Sequence, residues 1–265
     1  MSQSEKKYAL VTGATSGIGY ELAKVFAQNG YNLIIVARPS DELQQKSQEL
    51  SSQFNVEVIP VGKDLFNADA AFEVYEEVKA KGIVVNVLVN DAGQGVYGPF
   101  IETDIQKQLQ IIQLNVVSLT ALTYLFLRDM VARNEGKILQ VGSVLSELPG
   151  TLQSVYGGTK AYILSFTEAL ISEVKDTDVT LTVLQPGVTD TDFFNKAGAQ
   201  NSKLAEDKST MSDPADVAKD AYEALMKGDD KVVSGFKNKV QVAMSNVMPD
   251  SLLADQMKKQ SEESK

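Results

Sequence analysis

Tyr156 and Lys160 are the residues of this chain that most invite a chemical reading. They stand four apart in SVYGGTKAY, residues 154–162. On a helix that spacing puts both side chains on one face, so a phenol and an ammonium would share one environment. A free phenol, with a pKa of ~10, is a poor acid–base catalyst at neutral pH, and a neighbouring ammonium favours its phenolate. Gly157 and Gly158 lie between them, and each weakens a helix by about 0.8–1.0 kcal/mol relative to alanine. Either the segment is an ordinary turn carrying an amphipathic surface pair, or its backbone passes close to something bulky for which the glycines leave room. The chain has no histidine and no cysteine. Thiolate chemistry and disulfides are therefore excluded, the commonest metal ligand and general base is missing, and no metal site is expected. Catalysis must rest on carboxylates, hydroxyls or lysine.

A second constellation is TGATSGIG, residues 12–19, which follows the apolar run YALVT and precedes a helical pattern. Glycines between a strand and a helix N-terminus let a phosphate approach unpaired backbone N–H groups. The spacing is GxxxGxG. A P-loop would need Lys and Ser or Thr after the second glycine, whereas Gly17 is followed by Ile18, and the GxGxxG dinucleotide pattern does not fit.

TGxxxGIG after the first strand together with YxxxK at 156–160 resembles the short-chain dehydrogenase/reductase family in its shorter, single-domain form. Further landmarks fall in order over residues ~8 to ~235. Asn90, Asp91, Ala92 and Gly93 stand where the family has NNAG, with Asp91 replacing the second asparagine. Asp64 and Leu65 match the pair before the adenine pocket, Asn115 the helix asparagine, and Ser143 the serine that ends the fifth strand. Pro186, Gly187, Val188 and Thr191 match the PGxxxT turn. The resemblance implies a dinucleotide held by Gly13, Thr15, Ser16, Gly17, Ile18 and Gly19, and by Arg38, Asp64, Leu65, Asn90, Ala92, Gly93, Tyr156, Lys160 and the PGxxxT turn. It implies that Tyr156 exchanges a proton with a carbonyl or alcohol oxygen and that Ser143 hydrogen-bonds the same oxygen. Lys160 would also grip the nicotinamide ribose, and Asn115 would extend a proton relay through water. The implied activity is carbonyl/secondary-alcohol interconversion by hydride transfer. A catalytically silent dinucleotide-binding regulator is the alternative, though a binder needs neither the acid nor its oxyanion partner; a sugar-nucleotide epimerase is a lesser one, since those longer relatives have a different glycine spacing and a larger substrate region.

The elements that must position these residues alternate. Strand candidates at 8–12, 32–37, 56–61, 85–90, 137–142, 179–185 and 231–235 are separated by helical patterns at 17–29, 40–52, 67–81, 104–133, 156–175 and 214–227. Continuous apolar strands alternating with helices predict an α/β, doubly wound, mostly parallel seven-stranded sheet with helices on both faces, Rossmann-like. Residues 1–265 read as one domain, with a substrate-site loop at 188–213 and a C-terminal extension at 236–265. Ser212 or Asp213 should cap the 214–227 helix.

Ligands of such sheets bind over the carboxyl ends of the strands. Ser143, Leu145, Tyr97 and Tyr156 are the substrate-contact candidates, within the segments 94–97 and 144–148 and near Phe193 and Phe194. That lining lacks lysine and arginine, which disfavours a buried anionic substrate group. The second strand ends in Ala37 and Arg38, where NAD-specific family members carry aspartate after the strand. Arginine can fork onto a 2′-phosphate and Ser40 can add a hydroxyl, so NADP(H) is the expected cofactor.

With 25 basic and 35 acidic side chains the net charge is −10, and no basic run offers a nucleic-acid footprint. The polar lead into YALVT reads as no signal peptide, and no uninterrupted apolar run reaches the ~18–20 residues of a membrane span. A cytoplasmic protein without a transmembrane segment is expected. The 104–133 pattern carries two apolar stripes, one with Leu109, Ile112, Val116, Leu119 and Phe126 and one with Ile111, Leu114, Leu122 and Leu125. The 156–175 pattern has a similar pair of stripes. One stripe suffices to cover a sheet, so the second predicts a homodimer or homotetramer.

Overall fold

YALVT forms β1 (Tyr8–Thr12), and all five of its residues are buried. So unbroken a run is stable only where both faces of a sheet are covered. In this computed structural model, which describes residues 6–206, 211–245 and 252–255, β1 is an interior strand, paired on both edges. The others are β2 (Asn32–Ala37), β3 (Val58–Gly62), β4 (Val85–Asn90), β5 (Gly136–Val141), β6 (Val179–Gln185) and β7 (Lys231–Val233), in the order β3-β2-β1-β4-β5-β6-β7. Every pairing is parallel, so the sheet is parallel throughout rather than mostly so. Pro60, opposite Ile35, sits in the outermost strand β3, where a missing N–H is tolerated.

Successive side chains point to opposite faces. Leu10, Ile34, Leu88 and Ile138 go to the face covered by α3 (Ala70–Ala80) and α5 (Leu119–Arg133). Ala9, Val11, Leu33 and Val89 go to the face covered by α1 (Gly17–Gln28), α2 (Asp41–Phe54) and α9 (Pro214–Lys227). The helix ends are set by local chemistry. Ser40 Oγ accepts the Leu43 N–H at 3.2 Å to start α2, and Asn55 closes it with φ 54°. Asp213, not Ser212, caps α9 by accepting the Ala215 N–H at 2.8 Å.

Several segments depart from the sequence reading. The 104–133 helix is interrupted: α4 (Ile105–Ile112) passes into a π-helical stretch, Gln113–Ser118, before α5. The wider π turn rotates the apolar face. Leu119 and Phe126 are therefore buried while Leu109 and Ile112 of the same sequence stripe are 50% and 37% exposed. Ile105–Ala132 is long and apolar enough to cross a membrane by length and composition, but its Leu119, Leu122, Phe126 and Met130 pack on the sheet as core. The expected loop at 188–213 contains α7 (Phe193–Ala197) and α8 (Lys203–Glu206), with 207–210 outside the described residues. In the C-terminal extension, α10 (Phe236–Ser245) and a helical turn at 252–255 are described; the remainder lies outside the described residues. The 156–175 pattern begins two residues earlier, as α6 (Ser154–Glu173), and the last two strand-forming residues assigned to 231–235 are not in β7.

Phe26 joins α1 to α9: fully buried, it packs edge-to-face on Tyr31 and on Tyr222 with centroids 5.4 and 5.2 Å apart. Phe26→Ala should destabilise the fold by about 3–5 kcal/mol, the usual range for a buried phenylalanine. Urea unfolding followed by circular dichroism checks it.

Candidate active site

The strand order reverses on either side of β1 and β4, and at that switch point the carboxyl ends of the strands diverge into a cleft of about 1310 Å³. Thr12, the last residue of β1, holds the two sides together. Its Oγ1 accepts the Asp91 and Ala92 N–H groups, both at 3.0 Å, and donates to the Val89 carbonyl at 3.3 Å. Beyond it the chain turns through Gly13 and Gly17, whose φ values of 71° and 58° favour glycine. A Cβ on Gly13 would lie 3.0 Å from Ala92 Cα, and one on Gly17 3.1 Å from Thr191 Cγ2. These glycines thus let three loops meet at the start of α1. Gly19 serves the same packing: its Cβ would lie 2.4 Å from Asp91 Oδ2 and 2.6 Å from the Gly13 carbonyl oxygen.

Most of the sequence-predicted binding residues line this cleft. Thr15, Ser16, Gly17 and Ile18 form one end, Arg38, Asp64 and Leu65 a side wall, and Ala92, Gly93 and Pro186–Val188 the floor and rim, with Thr191 beside Gly17. Ser143, Leu145, Tyr156 and Lys160 line the inner end.

Four predicted residues do not line it. Gly19 packs behind the turn. Asn90 donates to Thr123 Oγ1 at 3.1 Å and to Gln140 Oε1 at 3.0 Å, in a buried network between strands and α5. Asn115, in the π-helical stretch, works as a clamp. Its carboxamide accepts the Gln94 N–H at 3.1 Å and donates to the Gln94 carbonyl at 2.9 Å and to Thr159 Oγ1 at 3.0 Å. Tyr97 is half-buried, and its backbone N–H donates to the Ala197 carbonyl at 3.0 Å.

Gly157 and Gly158 do not clear space for a ligand. Gly157 packs on Gly150, whose Cα would lie 3.2 Å from an added Cβ, and Gly158 faces open space. Their effect is to let the 150–153 loop lie against the start of α6. The cleft also holds cations that the sequence reading left out. Lys196, Lys203 and Lys237 line it, outside the segments 94–97, 144–148 and 193–194 in which no basic residue is expected. Lys196 stands 3.4 Å from both Asp192 and Ser16 Oγ, and Asn238 of α10 fills the space above Gly187. These residues belong to segments read as loop or extension, and only a spaced basic pattern at 196, 203 and 237 could have signalled them.

The electrostatics of the inner end follow from burial. Tyr156 opens on the cleft but is otherwise enclosed. Burial pushes its phenol well above the usual range, the hydrogen bond with Ser143 pulls it down, and the Asp91 charge adds to the rise. The lowering expected from Lys160 is not found, although Lys160 Nζ lies 5.5 Å from the Tyr156 ring centroid. Lys160 is 4% exposed, and its Nζ donates to the Val141 carbonyl at 2.7 Å. Burial lowers its pKa to about 8, against the pull of Asp91. Asp91 is raised to about 7 by burial, partly offset by Lys160, by the Gly19 N–H that its carboxylate accepts, and by Lys196. The arrangement therefore presents a protonated phenol and a serine hydroxyl lining one cleft with a buried amine and the N-terminus of α1.

Comparison with known proteins places this geometry. Residues 7–202 match the family model described as short chain dehydrogenase. A probable NADP-dependent dehydrogenase of Haemophilus influenzae is 32% identical over 71% of this chain and 73% of its own length. An NADP-dependent 3-hydroxy acid dehydrogenase of Schizosaccharomyces pombe is 30% identical over 88% of this chain and 92% of its own. Among solved structures, a short-chain dehydrogenase from Sphingobium yanoikuyae in complex with NADPH shares the fold, with a TM-score of 0.81 and 24% identity over 92% of this chain and 96% of that one.

The Asn115 clamp makes a direct prediction. Asn115→Ala removes three hydrogen bonds, each of typical net worth about 1 kcal/mol, so stability should fall by about 2–3 kcal/mol. The Gln94 amide should lose protection in hydrogen exchange before the strands do.

Proposed function

This chain belongs to the short-chain dehydrogenase family, and on that premise we propose that it is an NADP(H)-dependent oxidoreductase interconverting a carbonyl and a secondary alcohol. The observation that carries the reading is that Ser143, Tyr156 and the buried Lys160 line one cleft together, with Lys160 Nζ 5.5 Å from the Tyr156 ring centroid. The cleft suits a dinucleotide. Ser16, Gly17 and Ile18 bring the N-terminus of α1 to its wall, α1 has no acidic residue in its first turn, and the glycine turn lets phosphate approach the backbone. Lys196, reaching Ser16 Oγ from the other rim, adds a cation at the same point.

The preference for the 2′-phosphorylated form rests on the end of β2. Ala37 offers no carboxylate to bind ribose hydroxyls, and Arg38 lines the cleft. Lys63, paired with Glu73 at 2.7 Å, also lines it and supplies a second basic group. When bound, the nicotinamide supplies or accepts the hydride. The chain's own groups manage the proton. Tyr156 Oη, held protonated by burial, gives its proton to the oxygen of the carbonyl as negative charge develops there, and Ser143 Oγ–H donates a hydrogen bond to the same oxygen. Lys160 as an ammonium stabilises the phenolate left on Tyr156. Leu145 and Phe193, whose ring centroid lies 5.1 Å from that of Tyr156, exclude water around the reacting oxygen.

We also propose a homodimer or homotetramer built on α4, α5 and α6. Ile105, Leu109, Val117 and Tyr124 are between 43% and 58% exposed, beside Tyr162, which stacks on Phe166 with centroids 5.4 Å apart.

Tyr156→Phe should lower kcat by about 10²–10⁴-fold, the usual worth of a positioned proton donor, while the Kd for NADPH stays within a factor of two or so. A carbonyl panel followed at the nicotinamide absorbance, with calorimetric Kd values, tests this; near-normal turnover by the variant would end the assignment of Tyr156. Wild type should bind NADPH more tightly than NADH, and the Ala37→Asp, Arg38→Ala double substitution should reverse the order. Equal affinities in wild type would remove the cofactor preference. Sedimentation at micromolar concentration should give a species larger than the 28.8 kDa chain; a clean monomer would reject the oligomer.

A further inference from the structure

Lys160 poses an electrostatic problem that its own contacts do not solve. Its Nζ is buried, donates to a neutral carbonyl, and among the described residues makes no ion pair within 4.0 Å. A buried ammonium without a countercharge sheds its proton. The groups facing it are nearly all neutral. β5 offers the Val141 carbonyl and the residue just beyond it, Ser143; the π-helical stretch offers Asn115; and α6 offers Tyr156, one turn away. The carboxylate whose charge acts on Lys160 is Asp91, at the end of β4 and on the same cleft floor.

Asp91 is fixed where it stands. Its N–H donates to Thr12 Oγ1 at 3.0 Å, and its carboxylate occupies a recess that exists because Gly13 and Gly19 lack side chains: added Cβ atoms would lie 3.0 and 2.4 Å from Oδ2. Two residues on, a Cβ on Gly93 would lie 3.6 Å from Lys160 Nζ. The turn 91–93 therefore runs from the head of α1 to the ammonium.

We propose that Asp91 is the buried countercharge of Lys160, a positioning residue that keeps the lysine an ammonium inside the cleft and thereby supports the proton chemistry of Tyr156. The proposal rests on the oxidoreductase reading for its functional meaning, but its physical content is the charge state of Lys160. The same negative charge also holds the Tyr156 proton more tightly, so Asp91 favours the state in which Tyr156 is an acid and Lys160 a cation. Lys196, across the cleft, acts on Asp91 in turn.

Asp91→Asn keeps the shape but removes the charge. In cofactor-free protein labelled with ¹³C-lysine, the Cε resonance that disappears in Lys160→Met reports Lys160 directly. Its titration midpoint should lie near 8 in wild type and fall by about one pH unit, a tenfold shift from ammonium to amine, in Asp91→Asn. Asp91→Ser, smaller and equally neutral, should move it the same way, which separates loss of charge from misfolding of one variant. With cofactor present, the alkaline limb of NADPH binding should move to lower pH in Asp91→Asn, with the two proteins equal at pH 6. An unchanged or raised Lys160 midpoint in both variants would overturn the proposal, as would tighter NADPH binding by Asp91→Asn at pH 8, which would make Asp91 a repellent of the cofactor phosphates. Failure of wild type to bind NADPH would reject the cofactor reading while the lysine titration still decided the charge assignment.

Discussion

The hydroxyl of Thr12 is the join on which the cleft depends. At the switch point the crossover connections on the two sides of β1 and β4 run away from each other, and nothing in the ladder hydrogen bonds ties the loops that follow. Thr12 Oγ1 does so, by accepting two consecutive N–H groups from the 91–92 turn. That places the end of β4 against the glycine turn, so Gly13, Gly17 and Gly19 are needed as much for loop-on-loop packing as for any ligand. The N-terminus of α1 is thereby aimed across the ends of the strands, and the fold obtains its binding site from the same contacts that close its core.

Around that join the polar groups fall into two kinds. Asn90, Gln140 and Thr123 satisfy one another behind the sheet end, and Asn115 satisfies the backbone of Gln94. These are scaffolding, and they hold the strand ends and the 94 segment rigid. Tyr156, Lys160 and Asp91 form the other kind, groups whose ordinary protonation is disturbed because burial acts on each of them. Such disturbance in a cleft is the usual mark of a working site. It differs here from a simple picture in which lysine lowers the pKa of tyrosine: the low-dielectric surroundings act more strongly on both than they act on each other.

The sheet was legible in the sequence because its strands are unbroken runs of Val, Ile and Leu, and all seven were placed to within two residues at most ends. The glycine turn and the Tyr156–Lys160 pair were legible because their spacing is local. What escaped was whatever depends on contacts distant in the chain. Asn115 looks like a poor helix former within 104–133; only the folded chain shows it reaching Gln94 and Thr159. Gly157 looked like clearance for a ligand, yet its neighbour is Gly150. Lys196 and Lys237 sit in segments with no period, so no pattern announced that they would meet the cleft. Asp91 was visible as a departure from the family's asparagine, but its meaning required the recess at Gly13 and Gly19.

The interior position of β1 has a consequence for how the chain is made. It is synthesised well before one of its two neighbours, β4, which begins about seventy residues later. At the ~5–20 residues per second typical of translation, that edge of β1 stays open for several seconds. An unpaired, fully apolar strand is a template for association with other chains. The nascent protein must therefore pass through an interval in which its most buried strand is its most adhesive surface, and α1, which covers one face of β1 soon after synthesis, is the element placed to shield it.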